Sequence, residues 1–208
     1  MRLAAFACTA ALVAASSSGF AQETATPMPA VTEARRWDHA GQFSLRAGIG
    51  MGYRFVIRYQ DGAGADPCDD GNNKFCTDAS PLMLDTALGF GVTRGLELDA
   101  RFRLGVLEDF DGSRPMQLGL GLRTMGDGSG RLKFVLGAAM FFDVTQGRRR
   151  AGGDFDFVVR AEEGLQYEAT QWLGVYGHLG QSFGVLRNFS CVIDATVGVQ
   201  FRLPPSPR

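Results

Sequence analysis

Residues 43–59 read FSLRAGIGMGYRFVIRY, and every second one is apolar. Phe43, Leu45, Ala47, Ile49, Met51, Tyr53, Phe55, Ile57 and Tyr59 share one parity. Ser44, Arg46, Gly48, Gly50, Gly52, Arg54 and Arg58 take the other, interrupted only by Val56. Successive strand side chains point to opposite faces, so a period of two held this long predicts one β-strand with an apolar face and a polar, glycine-rich one. At roughly 3.3 Å per residue the strand runs about 55 Å, longer than a tilted membrane-spanning strand requires. That length predicts a barrel wall projecting beyond a bilayer.

The same period recurs downstream. Leu82 to Val92 gives a second strand, Leu96 to Val106 a third, Met116 to Leu122 a fourth and Leu132 to Val144 a fifth. Phe155 to Tyr167, Leu173 to Leu179 and Phe189 to Leu203 complete eight. Short links at 93–95, 126–130 and 169–171 alternate with mostly longer ones at 60–81, 108–115, 146–154 and 183–188. An even strand count with alternating short and long links predicts an all-β, eight-stranded antiparallel up-and-down transmembrane β-barrel over residues 42–203. Short turns face the periplasm in such barrels, which places both termini there.

Alternation alone leaves the inward face open, because a soluble lipid-binding barrel has the same period with its apolar side inside. Glycine favours the membrane solution. Gly48, Gly50, Gly52, Gly89, Gly91, Gly105, Gly119, Gly121, Gly137, Gly174, Gly180 and Gly198 nearly all sit on the polar parity. A water-washed surface has no use for residues that weaken strands, whereas a narrow eight-stranded interior must interleave them with long charged side chains. Aromatics gather near both sets of strand ends, as interfacial girdles do. Two positions break the pattern. Glu163 takes the lipid-facing parity and predicts a bulge around 162–164 or a place near the periplasmic rim, and Gln181 predicts an irregular outer end to the seventh strand.

Arg2, an apolar run to Ala15 and Gly19-Phe20-Ala21 form a secretory leader at 1–21, with cleavage after Ala21. Cys8 leaves with it. Residues 22–41, containing Pro27 and Pro29, read as a flexible linker in which Trp37-Asp38-His39 either docks at the membrane surface or is ordinary linker; 204–208 form a tail. Without the leader the chain carries 20 basic and 22 acidic residues, a balance that gives no reason to expect a nucleic-acid partner.

The chain resembles the small eight-stranded outer-membrane barrels of the OmpA and OmpX type. The resemblance rests on the strand pattern and on Gly91-Val92-Thr93-Arg94-Gly95-Leu96-Glu97-Leu98, which looks like their strand–turn–strand phrase. It implies the architecture and says almost nothing of activity. In that family the last strand usually ends in an aromatic at the C-terminus; here Phe201 is followed by Arg-Leu-Pro-Pro-Ser-Pro-Arg.

The candidate functional feature is a charge network in the lumen. Arg46, Asp85, Glu97, Asp99, Arg101, Arg103, Arg123, Lys133, Asp143, Asp156, Arg160, Glu162, His178 and Asp194 all take the inward parity, as do Arg54, Arg58, Arg131, Glu168 and Arg202. Buried charges must pair, so near balance predicts a closed plug rather than a one-sign selectivity ring. No catalytic, cofactor-binding or metal-ligating set is expected. His178 and Ser182 share a face but stand about 13 Å apart along a strand. Cys68 and Cys76 are expected to form a disulfide in the first outer loop, and Cys191 to be a small hydrophobe on the lipid-facing parity. Asp61, Asp66, Asp69, Asp70 and Asp78 offer oxygen donors without calcium-loop spacing, and read as a solvated acidic loop. Arg148, Arg149 and Arg150 read as an exposed basic loop, with lipid phosphate as the sharper alternative. The expected partners are outer-membrane lipid and an extracellular ligand met through loops 60–81 and 146–154, with the chain monomeric. The expected function is a structural or surface-interaction barrel of the outer membrane; the alternatives are a narrow channel and the soluble lipid-binding barrel.

Overall fold

The computed structural model describes residues 39–57, 75–107, 113–126, 131–147, 154–186 and 189–203. Ten strands lie in this part of the chain: β1 Phe43–Ile57, β2 Phe75–Ala79, β3 Met83–Gly91, β4 Leu96–Gly105, β5 Ser113–Arg114, β6 Met116–Met125, β7 Leu132–Gly147, β8 Asp154–Glu168, β9 Leu173–Gly184 and β10 Phe189–Arg202. Neighbouring strands pair antiparallel, and β1 pairs with β10 to close the sheet. The result is a closed eight-stranded barrel, with β2–β3 and β5–β6 each serving as one interrupted wall strand.

The interruptions follow from proline. Pro81 and Pro115 have no N–H to give a ladder, so pairing stops beside them and resumes on the far side. Ser80 spans the first break by donating its N–H to Gly52 O at 2.9 Å and accepting from Gly52 N with its hydroxyl at 2.9 Å. The expected loops 60–81 and 108–115 are therefore shorter than the sequence suggested: β2 pairs with the outer end of β1, and β5 with the end of β7. Alternation had nothing to find in β2, where Thr77 and Asp78 are both exposed.

Register fixes the tilt. From Tyr53 on β1, directly paired residues lead through Ile193, Gln181, Ala161, Ala138, Leu122, Leu98 and Phe90 back to β1 at Phe43, ten residues lower. Such a stagger over eight strands tilts them by about 40° and leaves an interior just wide enough for side chains.

The apolar parity faces outward on every wall strand: Leu88 is 65% exposed and Leu120 69%. The inward parity is buried, with Arg101 at 2% and Arg123 at 0%. This is the reverse of what a soluble lipid-binding barrel requires. Its exposed apolar surface far exceeds the few hundred Å² that a water-soluble monomer tolerates.

Tight links join β3–β4, β6–β7 and β8–β9 at one rim, which also carries both ends of the barrel wall. Two of them use one device. Thr93 Oγ1 accepts from the N–H groups of Gly95 and Leu96 at 3.3 and 3.1 Å, and Thr170 Oγ1 from those of Trp172 and Leu173 at 3.3 and 3.0 Å.

Two sequence expectations fail. The β7–β8 and β8–β9 registers run unbroken through 162–164, so there is no bulge, and Glu163 stays exposed on the outward face. β9 likewise keeps register with both neighbours out to Gly184, so Gln181 costs no regularity. A single polar side chain changes what a face meets; it does not change backbone pairing.

Candidate functional site: the lumen

Four consecutive inward positions of β4 organise the interior. Glu97, Asp99, Arg101 and Arg103 stand on one face at every second residue, two acids below two bases. Strands across the lumen complete the pairing. Arg46 from β1 bonds Asp99; Arg101 Nε donates to Asp99 Oδ1 at 2.6 Å and its Nη groups grip the Glu162 carboxylate at 2.6 and 2.7 Å. Arg160 Nε lies 3.5 Å from Glu162, and both its Nη groups donate to Asp194 at 2.7 Å. Arg103 joins Asp194 at 3.0 Å to Asp85 at 3.1 Å. Arg46, Asp99, Arg101, Glu162, Arg160, Asp194, Arg103 and Asp85 thus form one chain of alternating sign through β1, β4, β8, β10 and β3. A buried ion is tolerated when paired and hydrogen-bonded, and here every interior member of the chain touches two opposite charges.

Glycine makes the room. A Cβ at Gly180 would lie 2.6 Å from Arg160 Nη1, one at Gly137 2.6 Å from Glu162 Oε1, and one at Gly121 2.9 Å from Arg101 Nε. These contacts supply the physical reason for glycine on the polar parity.

The other expected residues fall into three groups. Toward the tight-turn rim, Glu97 accepts from Ser44 and from Gln200 at 3.3 Å, with Arg123 Nη1 at 4.0 Å. Arg123 Nη2 donates to Gln166 at 3.0 Å and stands 3.5 Å from His178, which stacks on Tyr176 at 4.7 Å. At that rim Glu168 accepts from Arg202 at 2.6 Å, with Lys133 at 3.8 Å. Toward the long-loop rim, Gln117 Nε2 donates to Asp143 at 2.8 Å. Asp156 instead accepts the backbone N–H groups of Phe157 and Leu186, both at 2.8 Å, and so fastens the turn after β9. Arg103, Asp143, Asp156 and Asp194, with Arg54, line a vestibule of about 50 Å³ there. Ser182 accepts from Arg160 at 3.0 Å and does not meet His178. Arg131 is exposed in a turn, outside the lumen. Arg58, Cys68, Asp61, Asp66, Asp69, Asp70 and Arg148 to Arg150 lie outside the described residues.

The pattern of charges did not reveal three lumen contributors. Phe141, wholly buried, packs with Ala139 and Val158 as an apolar plug inside the barrel. Its signal was legible: Val135, Ala139 and Phe141 occupy the inward parity of β7, where charge was expected. Tyr176 fills the lumen over Gly48 and Gly198. His39 was read as linker or surface anchor, yet it is buried at the tight-turn rim. Gly41 N donates to Gly91 O at 2.7 Å and Gly91 N to Gln42 O at 2.9 Å, fastening that segment across the mouth. His39 Nε2 contacts Lys133 Nζ and its Nδ1 lies 3.4 Å from Gln42 Oε1. Burial, then the charges of Arg202 and Lys133, lower the His39 pKa to about 4, so the ring is neutral at pH 7. Cys191 is on the outward parity as expected, but buried, opposite Phe55 and Phe183.

The structure superposes on Neisserial surface protein A with a TM-score of 0.58 and 10% identity, covering 78% of this chain and 99% of that one. On the N-terminal β-barrel domain of Pseudomonas aeruginosa OprF the values are 0.54 and 14%, covering 79% and 98%. The fold is that of the small eight-stranded outer-membrane barrels. No protein-family model and no curated protein sequence matches the chain. At these identities the likeness concerns the barrel alone, and its lumen must be read from its own residues. Among the described residues no three His, Cys, Asp or Glu side chains converge as a metal site.

Proposed function

We propose that this chain is an integral outer-membrane barrel with a structural or surface-interaction role, its lumen closed by the charge chain and the Phe141 plug. The observation that carries the reading is the division of faces: Leu88, Leu98, Leu118 and Leu120 exposed outside, Arg101, Arg123 and Arg160 sealed inside. The outer surface suits lipid chains, and the interior leaves no continuous one-sign path for an ion. The tight-turn rim with both wall ends faces the periplasm in this reading, and residues 60–81 and 146–154 meet the exterior and any ligand there. Cys68 and Cys76 close a disulfide in the first of these loops, tested by intact mass with and without reductant.

The test has two arms. The barrel should float with liposomes and resist carbonate extraction, and it should give no steady discrete openings in a planar bilayer. Release by carbonate refutes the membrane placement. Steady openings refute the closed lumen and establish the narrow channel instead.

A further inference from the structure

Ala100 makes a low point in the outward wall. It pairs directly with Leu88 on β3 and with Leu120 on β6, which are 65% and 69% exposed and stand up on either side of it. Asp99, the next residue toward the tight-turn rim, is paired with Gly89 and Gly121 and turns its side chain into the lumen, so the floor beside Ala100 is bare backbone. The outcome is an apolar groove of about 710 Å³, open to the outside. Its lower end is formed by Phe43, Phe90 and Leu203 at the tight-turn rim, the two rings packed with centroids 5.0 Å apart. From there the paired row Leu45, Leu88, Ala100 and Leu120 climbs about 3 Å per strand as the wall tilts.

The turn between β3 and β4 lies at the foot of this groove. Val92 N donates to Leu96 O at 2.8 Å, and Thr93 Oγ1 accepts from the N–H groups of Gly95 and Leu96 at 3.3 and 3.1 Å. These bonds hold the backbone on which Arg94 sits, exposed, at the rim. The described residues of the three tight links include Arg94 and Arg131 and no acid. Ala100 is four residues above Leu96, about 10 Å at roughly 2.5 Å of climb per residue of a tilted strand. Positive charge at the interface and an apolar channel one short step above it are thus stacked on one side of the barrel.

We propose that the groove holds one phospholipid of the periplasmic leaflet, its phosphate on the Arg94 guanidinium and an acyl chain laid along Leu88, Ala100 and Leu120. This rests on the membrane placement proposed above. Hydrocarbon already surrounds such a wall, so burial of apolar area does not favour one lipid over its neighbours; contact and charge must. A smooth wall touches a chain on one side, whereas the groove touches it on the floor and both flanks. Guanidinium and phosphate match as paired donors and acceptors, which fixes the head while the chain fills the groove. A protein occupant would have to bring an anionic group and an apolar ridge to these two heights. Every phospholipid carries both.

The experiment folds the full-length barrel into vesicles of phosphatidylglycerol and phosphatidylcholine in equal parts, transfers it to mild detergent and reads bound lipid by native mass spectrometry. Wild type should keep one phospholipid per barrel, enriched in phosphatidylglycerol. Ala100→Leu raises the floor and should abolish retention; it adds apolar surface to a lipid-facing wall, so its insertion, checked by flotation, should be unimpaired. Arg94→Gln should weaken retention about tenfold and lose the preference for phosphatidylglycerol, the worth of one charge-assisted bond, while Arg94→Lys keeps the preference. Wild type that floats yet carries no lipid overturns the proposal, as does Ala100→Leu that retains lipid like wild type. Lipid that appears only when residues 204–208 are removed assigns the groove to the chain's own tail, and a mass of two barrels without lipid assigns it to a second copy; either result also overturns the proposal. Wild type that fails to float defeats the membrane placement instead, and the lipid site with it.

Discussion

Arg101→Met tests the charge chain at its middle link. Arg101 is buried and satisfies two carboxylates, Asp99 at 2.6 Å and Glu162 through a bidentate grip at 2.6 and 2.7 Å. Removing one partner of a buried ion pair costs about 3–5 kcal/mol, because the other charge stays buried. Here each orphan keeps one cation: Asp99 keeps Arg46, and Glu162 keeps Arg160 at 3.5 Å. The expected loss is therefore at the lower end, about 3 kcal/mol. Urea unfolding of the vesicle-inserted barrel, followed by tryptophan fluorescence, measures it. Adding Glu162→Gln to Arg101→Met should cost less than the two single losses combined, since the residual buried charge is gone. A loss below about 1 kcal/mol for Arg101→Met, or strict additivity in the double variant, would refute the view that these charges hold one another.

Three further outcomes follow from the lumen. Gly180→Ala sets a methyl group against the Arg160 guanidinium and should cost about 1–3 kcal/mol in the same titration; an unchanged midpoint would show the interior is looser than drawn. Phe141→Ala empties the apolar plug and should cost about 3–5 kcal/mol and raise single-barrel conductance, whereas wild-type stability and silence would remove the plug from the account. His39 has a folded pKa of about 4 against 6.5 in the open chain, so the open form binds more protons between those values and closure of the mouth weakens as pH falls from 6.5 to 4. Protease access to the segment ahead of β1 should rise over that window in wild type and stay flat in His39→Gln; equal profiles would exclude the histidine.

The barrel was legible because its signal is local and repeated. Each strand from Phe43 onward declares its two faces, and links such as Thr93-Arg94-Gly95 declare the turns. The glycine argument also held, since Gly180, Gly137 and Gly121 abut the charged groups they were expected to accommodate. What parity could not supply is which inward residue meets which. Arg101 and Glu162 are 61 positions apart and touch only because the stagger of ten brings them to one height. Asp156 shows the limit from the other side: its parity predicted a charge partner, but two backbone N–H groups reach it first. His39 was missed because the pattern begins at Phe43, and a residue folded back into a barrel mouth carries no period. Short strands β2 and β5 were missed for the same reason.

The placement of the two faces can be measured directly with a single fluorophore attached to cysteine at Leu120 or at Gln117, three residues apart on β6. Leu120 points out and Gln117 in. In vesicles of lipid brominated along the chains, emission at Leu120 should be strongly quenched and at Gln117 spared. Quenching at Gln117 with Leu120 open to aqueous iodide would contradict the account at its root.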